Sequence, residues 1–496
     1  MISHTLHELA QIVGGIVVNH TDSTLRCDSV TASSSDARPG ALFVAVRGFS
    51  VDGHAFVSEA FARGAVAAVV EDVDALAGRP GIVVSRTRSA LSSLAAAFHG
   101  NPSARMRVVG ITGTNGKTTT NWIVYQLLHC MGEGALRIGT LGSEYLGAHR
   151  RDGGLTSPDP LSIHGLLAEA ERAGVRSCVM ETSSHALDQS RLDHVEFDVG
   201  VFTNLTRDHL DYHKTFENYF AAKRNLFAFL SQSAKQTKAA VVNTDDPYGR
   251  KLLDELHTLG LRDWSFGSSD IAAVRVSSLR EVGAGMVFSL HVRETGEAFD
   301  VQAPFIGRHN AENVVAAVAS CMALGYQPEA ILRALPLVAQ VPGRLERVGR
   351  HGPRVFVDYA HTPDALERAL KAVRPSTEGK LWVVFGCGGD RDRGKRPEMG
   401  EIARRMADEV VVTSDNPRTE VPEQILEDIL ACGVTPRVVD VDRRAAIGAA
   451  VSQAALEDTV VIAGKGHEDY QIIGREKLPF SDQEVALAFL GAKVQP

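Results

Sequence analysis

The sequence predicts an α/β fold in three domains: a small α/β N-terminal domain, a central domain whose parallel or mixed sheet is flanked by helices, and a C-terminal Rossmann-like domain. Three observations predict it. The chain has 496 residues, of which 44% are hydrophobic and 23% charged, enough for about three domains with buried cores. Strand-like and helical runs alternate after residue 106. The alternation begins again after the turn-like segment PGRLE at 342–346.

The first hundred residues predict the N-terminal domain. They contain short apolar runs such as ALFVAV (41–46), and then an alanine-rich helical stretch, SALSSLAAAFHG (89–100). The turn at Asn101-Pro102 closes this part. We therefore predict domain boundaries that give 1–100, 101–341 and 342–496.

Apolar runs of strand length follow in both later domains. In the central domain they are MRVVGIT, SCVMET, DVGVFTNL and AAVVNTDD, with a helix predicted from Lys117 to Met131. In the C-terminal domain they are RVFVDYA, LWVVFGCGG, EVVVTSD and TVVIAGKG. In the C-terminal runs the polar residues come directly after the apolar residues, where open α/β sheets bind their ligands. The chemistry is therefore expected at one edge of the sheet.

Composition limits the classes of partner. The formal net charge of -8 argues against a protein that binds nucleic acid through bulk positive charge, but it allows a local basic pocket for a phosphorylated small molecule. The six cysteines are scattered without a C-x-x-C pair, which favours buried thiols in a reducing cytoplasm over disulfides or a zinc site. Neither a signal peptide nor a membrane-spanning stretch is recognisable, so we expect a cytoplasmic protein without membrane insertion.

The stretch GITGTNGKTTT (110–120) predicts a phosphate-binding loop. It departs from the strict pattern G-x-x-x-x-G-K-[ST], because Ile111 occupies the first glycine position. A β-branched strand precedes it, and glycines there let backbone N–H groups approach phosphate oxygens at the start of a helix. The alternative is an ordinary glycine turn with a surface lysine. The motif favours a P-loop-type mononucleotide-binding domain but leaves the reaction open; its residues are Gly113, Thr114, Asn115, Gly116, Lys117, Thr118 and Thr119.

Further acidic and histidine residues follow two other strands. Glu181 ends the run CVME, where a carboxylate could hold a magnesium ion, although a buried structural glutamate is the alternative. The segment FTNLTRDHLDYH (202–213) carries Asn204, Asp208, His209, Asp211 and His213, and Lys223 follows in an alanine-flanked helix. The two histidines could instead be a solvated i, i+4 pair.

Nine strings, in this order, resemble the Mur ligase family from about residue 25 to the C-terminus: GTNGKTTT, METSSH, FTNLTRDHLDYH, AAKRNLF, GRHNAENVVAA, VDYAHTPDAL, FGCGGDRDRGKRPEMG, SDNPRTE and AGKGHEDYQ. The family's loop reads G-T-x-G-K-[ST], which accommodates the shifted glycine. The resemblance implies ATP-driven amide bond formation. In it, meso-2,6-diaminopimelate is joined to UDP-N-acetylmuramoyl-L-alanyl-D-glutamate through an acyl phosphate, during peptidoglycan precursor synthesis.

The resemblance also implies the metal and catalytic residues. Thr118 and Glu181 would hold one Mg²⁺, while Glu181, His209 and Lys223 would serve a second. An ammonium group cannot ligate a cation, and in this family the matching lysine is carbamylated by CO₂, so Lys223 is expected as N6-carboxylysine. Lys117 would share the neutralisation of charge as two anions approach each other.

Nucleotide and UDP-substrate contacts are implied residue by residue. Asn310 and Asn313 match the adenine side, and Asp358 the ribose contact with Arg344 and His361 nearby; a helix cap is the alternative for the asparagines. Where relatives often read D-S-R, this chain has three serines at 33–35, so uridine contacts beyond Ser34 stay open. The positions that match the UDP-muramoyl dipeptide site are Thr156, Ser157, Ser183, Gln189 and Arg191.

The amino-acid substrate has its own candidate selector. Diaminopimelate differs from lysine by a carboxylate, and the Arg418 guanidinium is suited to bidentate recognition of that group. Lysine-adding relatives lack this arginine. In the family pattern Glu468 pairs with the ammonium end of the amino acid. The implied pocket comprises Arg391, Asp415, Asn416, Pro417, Arg418, Gly464 and Glu468.

Three alternatives remain at this stage. The first is an L-lysine-adding homologue, and the second is a ligase of the folylpolyglutamate synthetase type, which would not be expected to need the N-terminal domain or Arg418. The third is a nucleotide-binding protein that has lost the reaction; Lys117, Glu181, His209 and Lys223 argue against it. We expect a monomer that acts on small molecules and not on nucleic acid.

Overall fold

The computed structural model describes residues 1–48, 51–150, 155–282 and 285–494. The chain divides into two compact units. The first comprises 1–276, 291–297 and 315–334, and the second comprises 277–290, 298–314 and 335–496. The predicted α/β class is confirmed, with parallel strands in every large sheet that carries a candidate site. Residues 1–100 and most of residues 101–341 lie together in the first unit. The division into three domains therefore stays a prediction.

The N-terminal part of the first unit is a five-stranded sheet with helices. Its order is β2-β7-β6-β5-β4, in which β2 runs antiparallel to β7 and the other pairs are parallel. The first helix starts with a capping box, because the Thr5 hydroxyl accepts from Glu8 N and the Glu8 carboxylate accepts from Thr5 N. The elements are β1 His4–Thr5, α1 Leu6–Val13, β2 Ile16–Val18, β3 Arg26–Cys27, β4 Ser29–Thr31, β5 Ala41–Val44, α2 Val57–Ala62, β6 Ala65–Val70, β7 Gly81–Val83 and α3 Thr87–Phe98.

An eight-stranded mixed sheet follows, in the order β11-β10-β9-β12-β8-β13-β14-β15. The strands from β9 to β15 along this order are parallel, and β10 and β11 extend the sheet antiparallel. Its elements are β8 Arg107–Thr112, α4 Lys117–Cys130, β9 Ala135–Gly139, β10 Gly142–Tyr145, β11 Ala148–Arg150, α5 Pro160–Arg172, β12 Ser177–Glu181, α6 Ser184–Asp188, β13 Val199–Phe202, α7 Leu210–His213, α8 Phe216–Gln232, β14 Ala239–Val242, α9 Pro247–Glu255 and β15 Arg262–Asp263.

Strand β8 is central to this sheet, between β12 and β13. Glu181 pairs with Ile111, and Phe202 pairs with Thr112, so the three strands end at nearly the same level. Because the chain crosses to opposite sides of β8, these carboxyl ends form a topological switch point, the place where open α/β sheets bind their ligands.

Four further strands and two helices follow, and the sequence analysis did not anticipate these strands. In β18, residues 286, 288, 290 and 292 are buried, and the residues between them are partly exposed. This is the period of two that a half-buried strand shows, so the signal was present in MVFSLHV. The elements are β16 Phe266–Gly267, β17 Val274–Val282, β18 Gly285–Val292, β19 Glu297–Ala303, α10 Arg308–Ala323 and α11 Pro328–Ala334.

The C-terminal part of the second unit is a six-stranded sheet in the order β20-β21-β25-β22-β23-β24, with helices packed against it. Only β20 is antiparallel, and the four strands predicted from the sequence are β21, β22, β23 and β25. The elements are β20 Glu346–Val348, β21 Arg354–Asp358, α12 Pro363–Val373, β22 Leu381–Phe385, α13 Lys395–Met406, β23 Glu409–Thr413, α14 Pro422–Leu430, β24 Val438–Asp440, α15 Arg443–Gln453, β25 Thr459–Ala463, β26 Tyr470–Ile473, β27 Glu476–Pro479 and α16 Asp482–Val494.

Candidate active site

The loop from Gly113 to Gly116 joins the end of β8 to the first residue of α4, Lys117. Gly113 has φ 149° and Gly116 has φ 86°, a region that disfavours residues with a Cβ. A Cβ at Gly113 would lie 1.9 Å from Thr203 Oγ1. Glycine is therefore required there both by the backbone conformation and by the neighbouring strand end.

Contacts from the loop itself and from the end of β13 hold this loop. Lys117 Nζ donates to the carbonyl oxygens of Gly113 at 2.8 Å and Thr114 at 2.9 Å. Asn115 N donates to Asn204 Oδ1 at 2.9 Å, and Thr203 Oγ1 donates to Asn115 O at 2.6 Å. The loop thus lies at a helix N-terminus with a lysine ammonium over it, which is an arrangement suited to phosphate.

Glu181, the last residue of β12, is buried at the same edge. Its Oε2 accepts from Thr118 Oγ1 at 3.1 Å and from Thr140 Oγ1 at 3.1 Å, while its Oε1 accepts from Thr140 N at 2.8 Å. A Cβ at Gly139 would lie 2.3 Å from Glu181 Oε1, so glycine makes room for the carboxylate. Thr140 was missed by the sequence analysis, although it is the polar residue that follows β9.

Lys223, in α8, is 1% exposed, and its Nζ donates to Gly113 O at 2.7 Å. The ammonium also lies 4.4 Å from the centre of the Tyr219 ring. Burial holds the pKa of Lys223 well below its usual value; the charge of Lys117 lowers it further, and Asp208 acts in the opposite direction. A buried lysine with a lowered pKa is more readily a neutral amine, which is the reactive form.

His209 stands before α7 in the left-handed region, with φ 52°, and its Nε2 lies 3.4 Å from Asp208 Oδ2. Burial lowers its pKa, Asp208 raises it, and the charges of Lys117 and Lys223 lower it further. These electrostatic effects indicate that His209 lies close to both Lys117 and Lys223.

A second layer of rings surrounds His209. His185 lies 4.8 Å from the His209 ring and 5.5 Å from the His213 ring, and burial lowers the pKa of His185 to about 4. His213 stacks on Tyr219, with 4.9 Å between ring centres, and its Nε2 is 3.0 Å from Ser184 Oγ. His213 is buried, so the alternative of a solvated pair with His209 is wrong for this residue.

The predicted metal set is brought together only in part. Thr118 and Glu181 share a hydrogen bond, and their oxygens are the ligand type that Mg²⁺ prefers. Across residues 1–48, 51–150, 155–282 and 285–494, however, no group of three or more His, Cys, Asp and Glu side chains is arranged to hold a metal ion. A metal assignment for His209 and Lys223 stays a prediction, since Lys223 can contribute oxygen only when modified.

Five of the six residues predicted for the UDP substrate lie in one network next to Glu181. Ser157 Oγ donates to Glu181 O at 2.8 Å and accepts from Ser183 N at 3.0 Å. Arg191 donates to Ser157 O at 3.0 Å and to Gln189 Oε1 at 2.6 Å. Thr156 adjoins this network, with its hydroxyl 3.2 Å from that of Thr140. Ser34 belongs instead to the N-terminal part, where its hydroxyl donates to Glu59 at 3.1 Å.

The predicted adenosine contacts belong to the second unit. Asn310 Nδ2 donates to Ile306 O at 2.9 Å, and Asn313 Nδ2 donates to Asn310 Oδ1 at 3.2 Å. Both lie inside α10, which begins at Arg308, so a cap at the helix start does not explain them. Asp358 ends β21, and burial raises its pKa to about 6, against the lowering effect of Arg344, which lies over the Tyr359 ring at 4.8 Å.

The predicted amino-acid pocket is assembled at the carboxyl ends of β22, β23 and β25. Arg418 has φ 53°, and its NH1 donates to Gly389 O at 2.8 Å. A Cβ at Gly388 would lie 2.9 Å from Arg418 NH1 and 3.7 Å from Arg391 Cγ, which locates both arginines around one glycine.

The other members of the pocket are equally close. Asn416 Nδ2 donates to Glu468 Oε2 at 3.0 Å. Gly464 has φ 120°, and a Cβ there would lie 2.3 Å from Asp415 Oδ2. A Cβ at Gly389 would lie 1.9 Å from Pro417 O, so the loop after β22 contacts the loop after β23. The seven residues predicted for this pocket therefore occupy one place.

Sequence reasoning missed the support of this pocket. Glu420 accepts from Asp390 N at 2.6 Å, from Arg393 NH2 at 2.8 Å and from Arg396 NH2 at 2.8 Å. Arg396 is buried, and its hydrogen bond to Glu420 contributes most to lowering the pKa of that carboxyl to about 2. Lys465, also missed, is buried next to Asn416. The only signal was charge density in RDRGKRPE and a lysine in AGKGHE.

Comparison with known protein families gives matches to three successive parts of the chain. Three family descriptions match: "Mur ligase family, catalytic domain" over residues 26–99, "Mur ligase middle domain" over 111–321 and "Mur ligase, glutamate ligase domain" over 343–466. No helix in the described part of the chain is long and apolar enough to cross a membrane.

Whole-chain relatives also match. A UDP-N-acetylmuramoyl-L-alanyl-D-glutamate–2,6-diaminopimelate ligase of Thermosynechococcus vestitus is 47% identical over 470 residues, covering 92% of each chain. The protein of the same name in Pseudomonas syringae pv. tomato is 43% identical, covering 95% of this chain and 97% of that one. A solved structure of an enzyme with this name is 31% identical, has a TM-score of 0.75 and covers 100% of both chains.

Proposed function

Because this chain belongs to the Mur ligase family, we propose that it is the ATP-dependent ligase that joins meso-2,6-diaminopimelate to UDP-N-acetylmuramoyl-L-alanyl-D-glutamate in peptidoglycan precursor synthesis. The observation that carries the proposal is the edge at which Lys117 and Lys223 share the Gly113 carbonyl, beside the buried Glu181 carboxylate. A carboxylate becomes an acyl donor there by taking the γ-phosphoryl group of ATP, and the amine of diaminopimelate then displaces phosphate.

Phosphoryl transfer brings two anions together, so catalysis depends on neutralising their charge. Backbone N–H groups of the 113–119 loop and the Lys117 ammonium provide this for the ATP phosphates. Asn310, Asn313, Arg344 and Asp358 are the proposed contacts of the adenosine.

Mg²⁺ suits the oxygen donors at this edge, where the Thr118 hydroxyl and the Glu181 carboxylate lie side by side. When bound, the ion would supply further neutralisation of the phosphoryl oxygens. Thr118 and Glu181 would hold one ion, and Glu181, His209 and modified Lys223 a second.

The burial of Lys223 supports the proposed modification. Its neutral amine can attack CO₂: an N–C bond forms as one C=O π bond opens to an oxyanion, the nitrogen loses a proton to water, and the neutral amine becomes a carbamate anion. The lowered pKa of Lys223 supports the neutral form. The modified group would then have oxygen atoms to offer.

Recognition of diaminopimelate is assigned to the pocket around Arg418. The guanidinium would hold the carboxylate that lysine lacks, and Arg391 adjoins it. Glu468 would meet the ammonium group on the same carbon. The muramoyl dipeptide is assigned to the network of Ser157, Ser183, Gln189 and Arg191, with Thr156 and, in the N-terminal part, Ser34. The enzyme would be a monomer and would act in the cytoplasm.

The test is phosphate release by purified protein with ATP, Mg²⁺ and UDP-N-acetylmuramoyl-L-alanyl-D-glutamate. We expect turnover with meso-diaminopimelate and not with L-lysine, and loss of turnover in Arg418→Ala. Arg404→Ala is the matched control, because Arg404 is an exposed residue of α13 that pairs with Glu401. Turnover with lysine would support the lysine-adding alternative. No turnover with either amino acid would direct the search to a folate-type substrate, and then to a protein that binds nucleotide without catalysis.

A further inference from the structure

Lys465 is a buried lysine that follows β25 directly after Gly464. Its side chain is 0% exposed, and the glycines on both sides of it have positive φ, 120° at Gly464 and 53° at Gly466. Burying an ammonium group costs free energy unless partners offset the loss of water. The partners of Lys465 are the groups of the amino-acid pocket.

Three oxygens lie around the Lys465 ammonium. Its Nζ donates to Asn416 Oδ1 at 2.9 Å, and it lies 3.5 Å from Glu468 Oε2 and 4.0 Å from Asp415 Oδ1. An ammonium group has three donors and no acceptor. The lysine therefore joins three residues that come from two different loops, after β23 and after β25.

This contact fixes the direction of the Asn416 carboxamide. Its Oδ1 accepts from Lys465 Nζ and from Ile472 N, the latter at 2.9 Å, so the amide nitrogen is turned to Glu468 Oε2 at 3.0 Å. If the amide were reversed, its NH₂ would face two donors and its oxygen would face a carboxylate. Lys465 thus orients Asn416, and Asn416 orients one oxygen of Glu468.

The charges around the pocket give the lysine a second effect. Asp415 and Glu468 are both near its ammonium, while Arg443 is committed to a buried ion pair with Asp482 at 2.7 Å. If the ammonium were lost, the two carboxylates would keep their mutual repulsion without the cation between them. This repulsion would favour a Glu468 carboxylate turned away from Asp415, against its hydrogen bond with Asn416.

We propose that Lys465 is a positioning residue for recognition of the amino-acid substrate: its ammonium fixes the Asn416 carboxamide and one oxygen of Glu468, so that the substrate's ammonium group meets a carboxylate of defined orientation. The inference rests on the proposed function, because it takes the ligand to be an amino acid with its carboxylate on Arg418. Lys465 acts through Asn416 and Glu468 and need not touch the substrate.

Steady-state kinetics of Lys465→Met test this inference. Methionine keeps a long unbranched side chain but removes the donor. We expect KM for meso-diaminopimelate to rise about 10- to 100-fold, while KM for ATP and for the UDP substrate and kcat stay within about threefold. Lys380→Met is the control, since Lys380 is an exposed lysine at the start of β22 that pairs with Glu409. A lysine that only supported folding would lower the active fraction and kcat and leave every KM unchanged, which would overturn the inference.

A double-mutant cycle with Asn416→Ala gives a second measurement. If Lys465 acts partly through Asn416, adding Lys465→Met to Asn416→Ala should raise KM for diaminopimelate by a clearly smaller factor than Lys465→Met does in the wild type. Multiplicative effects of the two changes would contradict the proposed route. Lys465→Arg retains a cationic donor of a different shape, so its KM for diaminopimelate should lie between those of the wild type and of Lys465→Met. If Lys465→Met does not fold, the arginine variant should still raise KM for diaminopimelate alone, and a KM equal to that of the wild type would overturn the inference.

A measurement on the wild-type enzyme distinguishes an error in the role of Lys465 from an error in the proposed function. If it turns over diaminopimelate and Lys465→Met has an unchanged KM, only the role of Lys465 is wrong. If the wild type shows no turnover that depends on diaminopimelate, the proposed function is wrong, and the role of Lys465 is overturned with it.

Discussion

Lys117 and Lys223 donate to the same oxygen, the carbonyl of Gly113, at 2.8 and 2.7 Å. One lysine begins the helix after the phosphate loop, and the other is buried in α8. Two cations at one carbonyl repel each other, and the charge of Lys117 is among the causes of the lowered pKa of Lys223. Conversion of Lys223 to a carbamate would replace that repulsion by attraction.

The first prediction concerns this modification. Removing CO₂ and bicarbonate from the buffer should lower the activity of the wild-type enzyme, and adding bicarbonate should restore it. Lys223→Met should lower kcat more than about 100-fold, since a charge-bearing group at the reacting phosphate is lost, and it should not respond to bicarbonate. Lys214→Met is the control, because Lys214 is exposed and should retain activity. Activity of Lys223→Met equal to the wild type would refute the modification as a catalytic requirement.

A second prediction concerns Thr140, which donates twice to Glu181. Thr140→Val keeps the shape and the backbone donor but removes the hydroxyl, so kcat should fall roughly 10- to 150-fold, the effect of one hydrogen bond to a charged group. Thr258→Val, on an exposed hydroxyl that donates to Glu255 O, should leave kcat unchanged. Equal kcat values for the two variants would show that the hydroxyl does not orient Glu181.

A third prediction distinguishes the effect of a positive φ from the effect of steric overlap when alanine replaces Gly464. Gly464→Ala should raise KM for diaminopimelate and lower the free energy of unfolding by about 2–4 kcal/mol, because its Cβ would lie 2.3 Å from Asp415 Oδ2. Gly433 also has positive φ, 78°, but has nothing within 4 Å of a Cβ. Gly433→Ala should therefore lower the free energy of unfolding by only about 1 kcal/mol and leave KM unchanged. Urea unfolding and steady-state kinetics of both variants check this, and an unchanged KM in Gly464→Ala would count against the pocket assignment.

The fourth prediction concerns stability and pH. His164 in α5 is fully buried, and burial, with smaller effects from His99 and His194, lowers its pKa to about 3, from the usual 6.5. Between these two pH values the unfolded chain binds a proton at His164 that the folded chain does not bind, so stability falls as pH falls through this range.

The whole effect of His164 is of the order of 5 kcal/mol. Urea unfolding at a series of pH values from 7 to 4 should therefore show a smaller loss of stability on acidification in His164→Phe than in the wild type. The exposed His129 offers the control His129→Phe, which should keep the wild-type slope. Identical slopes in all three proteins would mean that His164 is not held neutral by folding.

Local patterns determined much of the fold and part of the site. The strand, glycine turn and helix around Lys117 were readable because they are contiguous, and the runs that became β21, β22, β23 and β25 were readable because a strand buried on both faces is a continuous apolar run. The position of Glu181, and of Asp415 to Arg418, after such runs then followed from the geometry of parallel sheets. The strands between 266 and 303 were not predicted: β18 alternates buried and partly exposed residues, so it lacks the continuous apolar run of a strand that is buried on both faces.

Only the tertiary structure decided which side chains touch. The hydrogen bonds of Thr140 to Glu181, of Lys223 to the Gly113 carbonyl and of Lys465 to Asn416 each join residues from different elements. Their distances depend on strand order and register, which arise from packing of the whole sheet and are not encoded in any short segment. The sequence by itself therefore determined which side chains are available at each sheet edge. The tertiary structure decided which of them form hydrogen bonds, because partners from different segments come within bonding distance only when the whole sheet is packed.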